Sequence, residues 1–174
     1  MQERSNVVRF KGQPLTLVGP EIKAGDRAPE FTVVDHALNP VNFSTFKGKV
    51  CVLVSVPSLD TSVCDLEARK FNEQAATLGD EVKVLVISMD LPFAQKRWCG
   101  ANNVANVLTL SDYRDASFGK ALGVLIKELR LLARTIFVVD RDGIVQYCQI
   151  VHEMTHEPDY PAVLDAVRKQ ASKQ

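Results

Sequence analysis

Cys64 ends the stretch Pro57-Ser58-Leu59-Asp60-Thr61-Ser62-Val63-Cys64, and its surroundings suit a thiol used as a nucleophile. Before it, Val50 to Val56 is a short apolar run rich in β-branched residues, which reads as a buried strand ended by Pro57. After it, Cys64, Ala68, Phe71, Ala75 and Leu78 share one face of a helix that Gly79 would stop. Thr61 suits the N-cap, so Cys64 falls in the first turn, facing the core, where the helix macrodipole favours negative charge. The dipole alone is insufficient. Moving a free thiol from a pKa of about 8.5 to about 6 takes roughly 3.4 kcal/mol, and a helix N-terminus supplies at most about 2 kcal/mol. A reactive sulfur here demands a cation from elsewhere in the fold. Without one, Cys64 is a small apolar core residue.

The other cysteines, Cys51, Cys99 and Cys148, form no CxxC pair and no zinc-ribbon spacing. Four cysteines in 174 residues make no disulfide scaffold, so redox or catalytic use of one or two is the better reading. Cys51 lies inside the apolar run, and Cys148 shares a strand face with Ile144 and Ile150; both read as core residues. His152-Glu153-Met154-Thr155-His156 spells H-E-x-x-H, the signature of a zinc-protease helix. That chemistry needs a helix, so that both histidines share a face. Here the motif follows a predicted strand, Val145 to Val151, and Pro158 disfavours helix at Glu157. It reads as a loop, and no metal is expected there.

The elements that must position Cys64 follow from the rest of the pattern. Val7 to Leu17 reads as an N-terminal hairpin turning at Gly12, and Phe31 to Val34 as a short strand before a turn at Asn39-Pro40. Glu81 to Met89 is a second buried strand, and Pro92 opens a helix that carries Trp98 and Cys99 towards a stop at Gly100. Val107 to Leu110 is a strand, and Asp112 caps a helix running to Leu122. Leu132 to Asp140 and Ile144 to Val151 form a hairpin, and Tyr160 to about Ala171 is an amphipathic helix with Val163, Leu164 and Val167 inward. This order predicts an α/β fold of thioredoxin-like architecture in one domain, residues 1–174, with a mixed central sheet flanked by helices and an N-terminal β-hairpin.

Lys plus Arg and Asp plus Glu both number 21, so the balance predicts neither a nucleic-acid nor an acidic-membrane partner. No apolar run approaches the roughly 18 residues of a membrane-spanning helix, and the polar start lacks a signal-peptide core. A cytoplasmic location is expected.

Pro57-x-x-x-Thr61-x-x-Cys64 resembles the active-site loop of peroxiredoxins. With Leu91-Pro92-Phe93-Ala94-Gln95-x-Arg97-Trp98-Cys99, Ala133-Arg134 and Glu157-Pro158-Asp159-Tyr160, the chain resembles the thiol peroxidase subfamily, the atypical two-cysteine enzymes. The N-terminal hairpin is similar too, so the likeness covers almost the whole chain.

The resemblance implies a thiol-dependent peroxidase for hydrogen peroxide and small alkyl hydroperoxides. Cys64 would attack the O–O bond and become a sulfenic acid. Cys99 would resolve it to an intrachain disulfide, reset by a thioredoxin-type protein. Arg134 would be the required cation, at the start of a strand running beside Val50–Val56. Thr61 would hydrogen-bond the thiolate or the peroxide, and Pro57 would shape and shield the pocket. No metal, haem or flavin is implied, and the assembly implied is a homodimer. A disulfide needs Cα atoms within about 7 Å, so bonding would require the first turn at Cys64 to unwind and the Cys99 helix to shift.

Where that subfamily has a Gly/Pro-bearing loop before the arginine, this chain reads Ile126-Lys127-Glu128-Leu129-Arg130-Leu131-Leu132, which makes Arg130 a rival to Arg134. Two other functions stay open: a peroxiredoxin of another class with a different reductant, and a non-catalytic redox sensor using the same cysteine pair.

Overall fold

Strand β5 (Val50–Ser55) is buried along its whole length, and its side chains divide between two cores. Cys51 and Leu53 enter one, and Val50, Val52 and Val54 the other, the alternation that a pleated strand imposes. Strands β6 (Val82–Ser88) and β10 (Thr135–Val139) divide alike. Leu85, Ile87, Phe137 and Val139 lie on the first side, and Val84, Val86, Ile136 and Val138 on the second. A sheet covered on both faces needs apolar residues at consecutive positions, which is why these segments read as unbroken runs. The structure, a computed structural model, describes residues 1–173.

Strands β3 (Thr32–Val34), β4 (Pro40–Asn42), β7 (Leu108–Ser111) and β11 (Val145–Ile150) complete a mixed sheet. Its order is β11-β10-β5-β6-β7-β3-β4. β5, β6 and β7 are parallel, and β10 and β3 flank them antiparallel. The two parallel crossovers carry helices α1 (Ser62–Ala75) and α2 (Pro92–Asn102). Both step in the same direction across the sheet, so the right-handed crossover rule puts both helices on one face. Helix α4 (Tyr160–Ala171) joins them. Cys64, Trp98, Val163 and Val167 therefore share one core with Val52, Val54 and Val86, and Cys99 packs against it.

The opposite face is covered by a second sheet. The N-terminal hairpin, β1 (Glu3–Phe10) and β2 (Gln13–Val18), is longer than the predicted Val7–Leu17. The segment before Arg134 forms a small hairpin, β8 (Leu125–Ile126) and β9 (Leu131–Leu132), whose first strand pairs with β2. Arg130 sits exposed in its turn at φ 51°, far in character from a buried site.

Two helix boundaries differ from expectation. Helix α2 runs through Gly100 and stops at Asn103, which takes the left-handed conformation at φ 54°. Helix α3 (Ser117–Ala121) is shorter than the predicted Asp112–Leu122. Asp112 still caps it, accepting the amides of Phe118 and Gly119 at 3.0 and 2.8 Å, but from outside the helix. A capping carboxylate was legible; the turn between was not.

Candidate active site

Antiparallel pairing of β10 on β5 sets Thr135 opposite Ser55. Arg134, one residue earlier, therefore stands where β5 ends and Pro57 leads into α1. The strand predicted from Leu132 is broken here, with Ala133 and Arg134 between β9 and β10. The backbone at the break is tied down, since the Ser55 hydroxyl donates to the Ala133 carbonyl at 2.7 Å.

Arg134 is only 2% exposed and Cys64 is fully covered. The guanidinium Nη1 donates to Cys64 Sγ at 3.4 Å and to Glu67 Oε2 at 2.6 Å. Its Nε and Nη2 both donate to the Met154 carbonyl, at 3.1 and 2.7 Å. The fork is thus fixed by one side and offers the other to two acidic groups. Burial works to lower the Arg134 pKa, but Glu67 and Cys64 together hold it above its ordinary value. The cation that the sequence demanded is in contact with the sulfur.

Glu67 was not expected. It lies one turn after Cys64, beside the apolar stripe of α1, and is fully buried with Oε1 lacking a hydrogen-bond partner. A carboxylate at i+3 from the cysteine reads in sequence as a solvated neighbour; only the location of Arg134 explains it. Burial pushes its carboxyl up to about 7, against the opposing pull of Arg134. An unfolded glutamate loses its proton near 4.5, so between these values the folded state binds more protons. Stability then falls as pH rises through that window. Glu67→Gln keeps an acceptor for Arg134 without the titration. The melting temperature of the wild type should therefore drop relative to that of Glu67→Gln by several degrees from about pH 5 to about pH 8. A constant difference would show that Glu67 does not titrate there.

The loop before Cys64 is held by Asp90, just after β6. Its carboxylate accepts the Ser58 hydroxyl at 2.7 Å and the Leu59 amide at 2.9 Å. Gln95, buried in α2, donates to Ser88 Oγ at 3.0 Å and to the Leu110 carbonyl at 2.9 Å, which locks α2 to the same strand ends. Pro57 is buried beneath the loop. Thr61 is the N-cap residue by backbone conformation, but its side chain makes no capping bond; its hydroxyl donates to the Ser58 carbonyl at 3.0 Å.

Cys99 stands apart from this cluster, in the last turns of α2, and both it and Cys64 are free thiols. The residues beside them are joined: Trp98 Nε1 donates to Asp65 Oδ1 at 2.8 Å. Burial raises the pKa of Cys99 while a hydrogen bond with Thr109 opposes it. Burial pushes Cys51 up to about 12 and Cys148 up to about 11, which keeps both as inert thiols.

The H-E-x-x-H segment is a turn. Glu153 accepts the amides of Gly12 and Thr155, at 2.8 and 3.1 Å, and these and the Lys11 amide hold its carboxyl down at about 2. His152 Nδ1 lies 2.8 Å from the Val7 carbonyl. The motif clamps the N-terminal hairpin. In Glu157-Pro158-Asp159-Tyr160, Asp159 caps α4 by accepting the Ala162 amide at 3.1 Å, and Glu157 pairs with Lys70 of α1 at 3.0 Å. A cleft of about 540 Å³ lined by Arg27, Phe43, Phe46 and Cys51 opens at the other end of β5 and holds none of the site residues.

Residues 23–164 match the redoxin family. The chain is 55% identical to a thiol peroxidase of Bacillus subtilis over 161 residues, covering 92% of this chain and 96% of that protein. Among solved structures, a peroxiredoxin-like protein from Aquifex aeolicus is 48% identical and superposes with a TM-score of 0.89, covering 96% and 97% of the two chains. A thiol peroxidase from Chromobacterium violaceum, 22% identical, superposes with a TM-score of 0.82 over 93% of this chain and 95% of its own, a likeness of fold. The fold is thioredoxin-like, as the element order predicts. The chain belongs to the redoxin family and, within it, to the thiol peroxidases.

Proposed function

We propose that the protein reduces hydrogen peroxide and small alkyl hydroperoxides at Cys64, resolves the product with Cys99, and is reset by a thioredoxin-type dithiol protein. One observation carries this reading: a fully buried sulfur in the first turn of a helix with a guanidinium nitrogen at 3.4 Å. The guanidinium and the helix N-terminus both direct positive charge at that sulfur.

The thiolate attacks one peroxide oxygen; an S–O bond forms, the O–O bond breaks, and the departing oxygen takes a proton to leave as water or alcohol. Arg134 holds the sulfur and, as charge moves, the oxygens. Pro57 keeps bulk water from the sulfur, and Thr61 turns its hydroxyl from Ser58 to the bound peroxide. Cys99 then attacks the sulfenic sulfur; an S–S bond forms, the S–O bond breaks, and water leaves. The reductant returns two electrons and two protons.

Cys64 is embedded under the first turn of α1, so the disulfide forms only if that turn unwinds and the Asp65–Trp98 bond breaks. The disulfide form should show less helical circular dichroism and faster proteolysis near Cys64 than the reduced form; identical spectra and cleavage rates would contradict the opening.

The function is tested by following peroxide loss with a thioredoxin system in excess. Many turnovers per chain are expected. A single oxidation per chain would identify a redox sensor, and turnover with glutathione alone would identify another reductant.

A further inference from the structure

Cys99 is one end of a hydrogen-bonded chain. Its Sγ lies 3.2 Å from Thr109 Oγ1, and the same hydroxyl lies 2.5 Å from His36 Nε2. Thr109 is 5% exposed on β7, and Cys99 and the His36 ring are half-buried at the wall of a cleft of about 440 Å³. The ring is positioned by its own turn: Asp35 Oδ1 accepts the amides of Ala37 and Asn39, at 2.9 and 3.0 Å, on either side of Leu38 at φ 68°. The attack of Cys64 on peroxide uses none of the three, and the resolving step as described above uses only Cys99.

We propose that His36, acting through Thr109, accepts the proton of Cys99 when Cys99 resolves the sulfenic acid. The inference rests on Cys99 being the resolving cysteine.

The chemistry balances. A thiol is a poor nucleophile and its thiolate a good one. Cys99 gives its proton to Thr109 Oγ1 as Thr109 gives its own to His36 Nε2. The thiolate then forms the S–S bond with Cys64, and the S–O bond breaks. Hydroxide leaves as water with the proton that the imidazolium releases into the open cleft. The two arrangements of the hydroxyl hydrogen, towards the ring or towards the sulfur, are the states before and after transfer. Burial of Cys99 disfavours its thiolate, so a proton acceptor is what this position lacks. Burial also lowers the His36 pKa, with Asp35 opposing and Lys96 of α2 assisting. The ring is therefore neutral near neutral pH and able to accept.

The test is a single turnover. Reduced protein is mixed with one equivalent of hydrogen peroxide, and Trp98 fluorescence and alkylation-quenched mass analysis follow Cys64 oxidation and disulfide formation as separate phases. In His36→Gln, disulfide formation should slow about a hundredfold near neutral pH, the size of a general-base contribution, while the first phase stays at its wild-type rate. The wild-type second phase should decline on the acid side as the ring protonates. The variant should lack that limb and rise with pH until the two meet. Thr109→Ser should keep the rate and Thr109→Val should lose it, with the first phase reporting that each remains folded. A second phase in His36→Gln that matches wild type throughout would overturn the relay alone. A wild-type product without a Cys64–Cys99 link would overturn the resolving assignment, and the relay with it.

Discussion

An Arg134→Met protein is expected to oxidise Cys64 about a thousandfold more slowly than wild type while remaining folded. Removing one donor aimed at developing negative charge costs roughly 10²- to 10³-fold, and here the same group also favours the attacking thiolate. The change leaves Glu67 buried beside the sulfur without its cation. Removing one partner of a buried pair costs about 3–5 kcal/mol when the survivor stays charged. Burial already pushes the Glu67 carboxyl up to about 7, so it takes up a proton instead and the loss of stability is smaller. Arg134→Met combined with Glu67→Gln separates the two effects. The double variant should regain thermal stability and stay slow towards peroxide. Recovery of the rate together with the stability would show that Arg134 acts by holding the fold.

Cys99→Ser is expected to consume one peroxide per chain at the wild-type rate and then stop. Cys99 lies outside the Cys64–Arg134–Glu67 cluster, so the first step does not use it. Without it the Cys64 sulfenic acid has no internal thiol on the same core face, because Cys51 and Cys148 belong to the opposite one. A thioredoxin system would then find no disulfide to reduce, and excess peroxide would carry the sulfur on to the sulfinic acid. Sustained turnover in Cys99→Ser would show that the reductant reaches the sulfenic acid directly.

The strand–loop–helix around Cys64 was legible because period-two and period-3.6 patterns are both strong there, with Pro57 and Thr61 marking the junctions. The partnership with Arg134 followed from the family likeness plus one topological step, the pairing of β10 beside β5. Glu67 was hidden because helical spacing gives a residue's face without revealing what stands opposite. Thr109 and His36 were hidden for the same reason: a strand threonine and a turn histidine, 73 residues apart, show no joint pattern in one dimension. The Ile126–Leu132 segment departs from the loop that the likeness led one to expect before Arg134. It pairs with β2 and leaves Arg134 untouched, since a two-residue strand can be specified by its partner alone.

Peroxide is proposed to react at Cys64 because that sulfur, alone among the described cysteines, is hydrogen-bonded to a guanidinium. Site-mapped trapping tests it: reduced Cys99→Ser protein is treated with one equivalent of peroxide and dimedone, and the labelled cysteine is located by peptide mass analysis. Label should fall on Cys64, with Cys51 and Cys148 unlabelled and the Cys64 label nearly absent at the same time point when Arg134→Met is added. Label on another cysteine, or equal Cys64 labelling without Arg134, would contradict it.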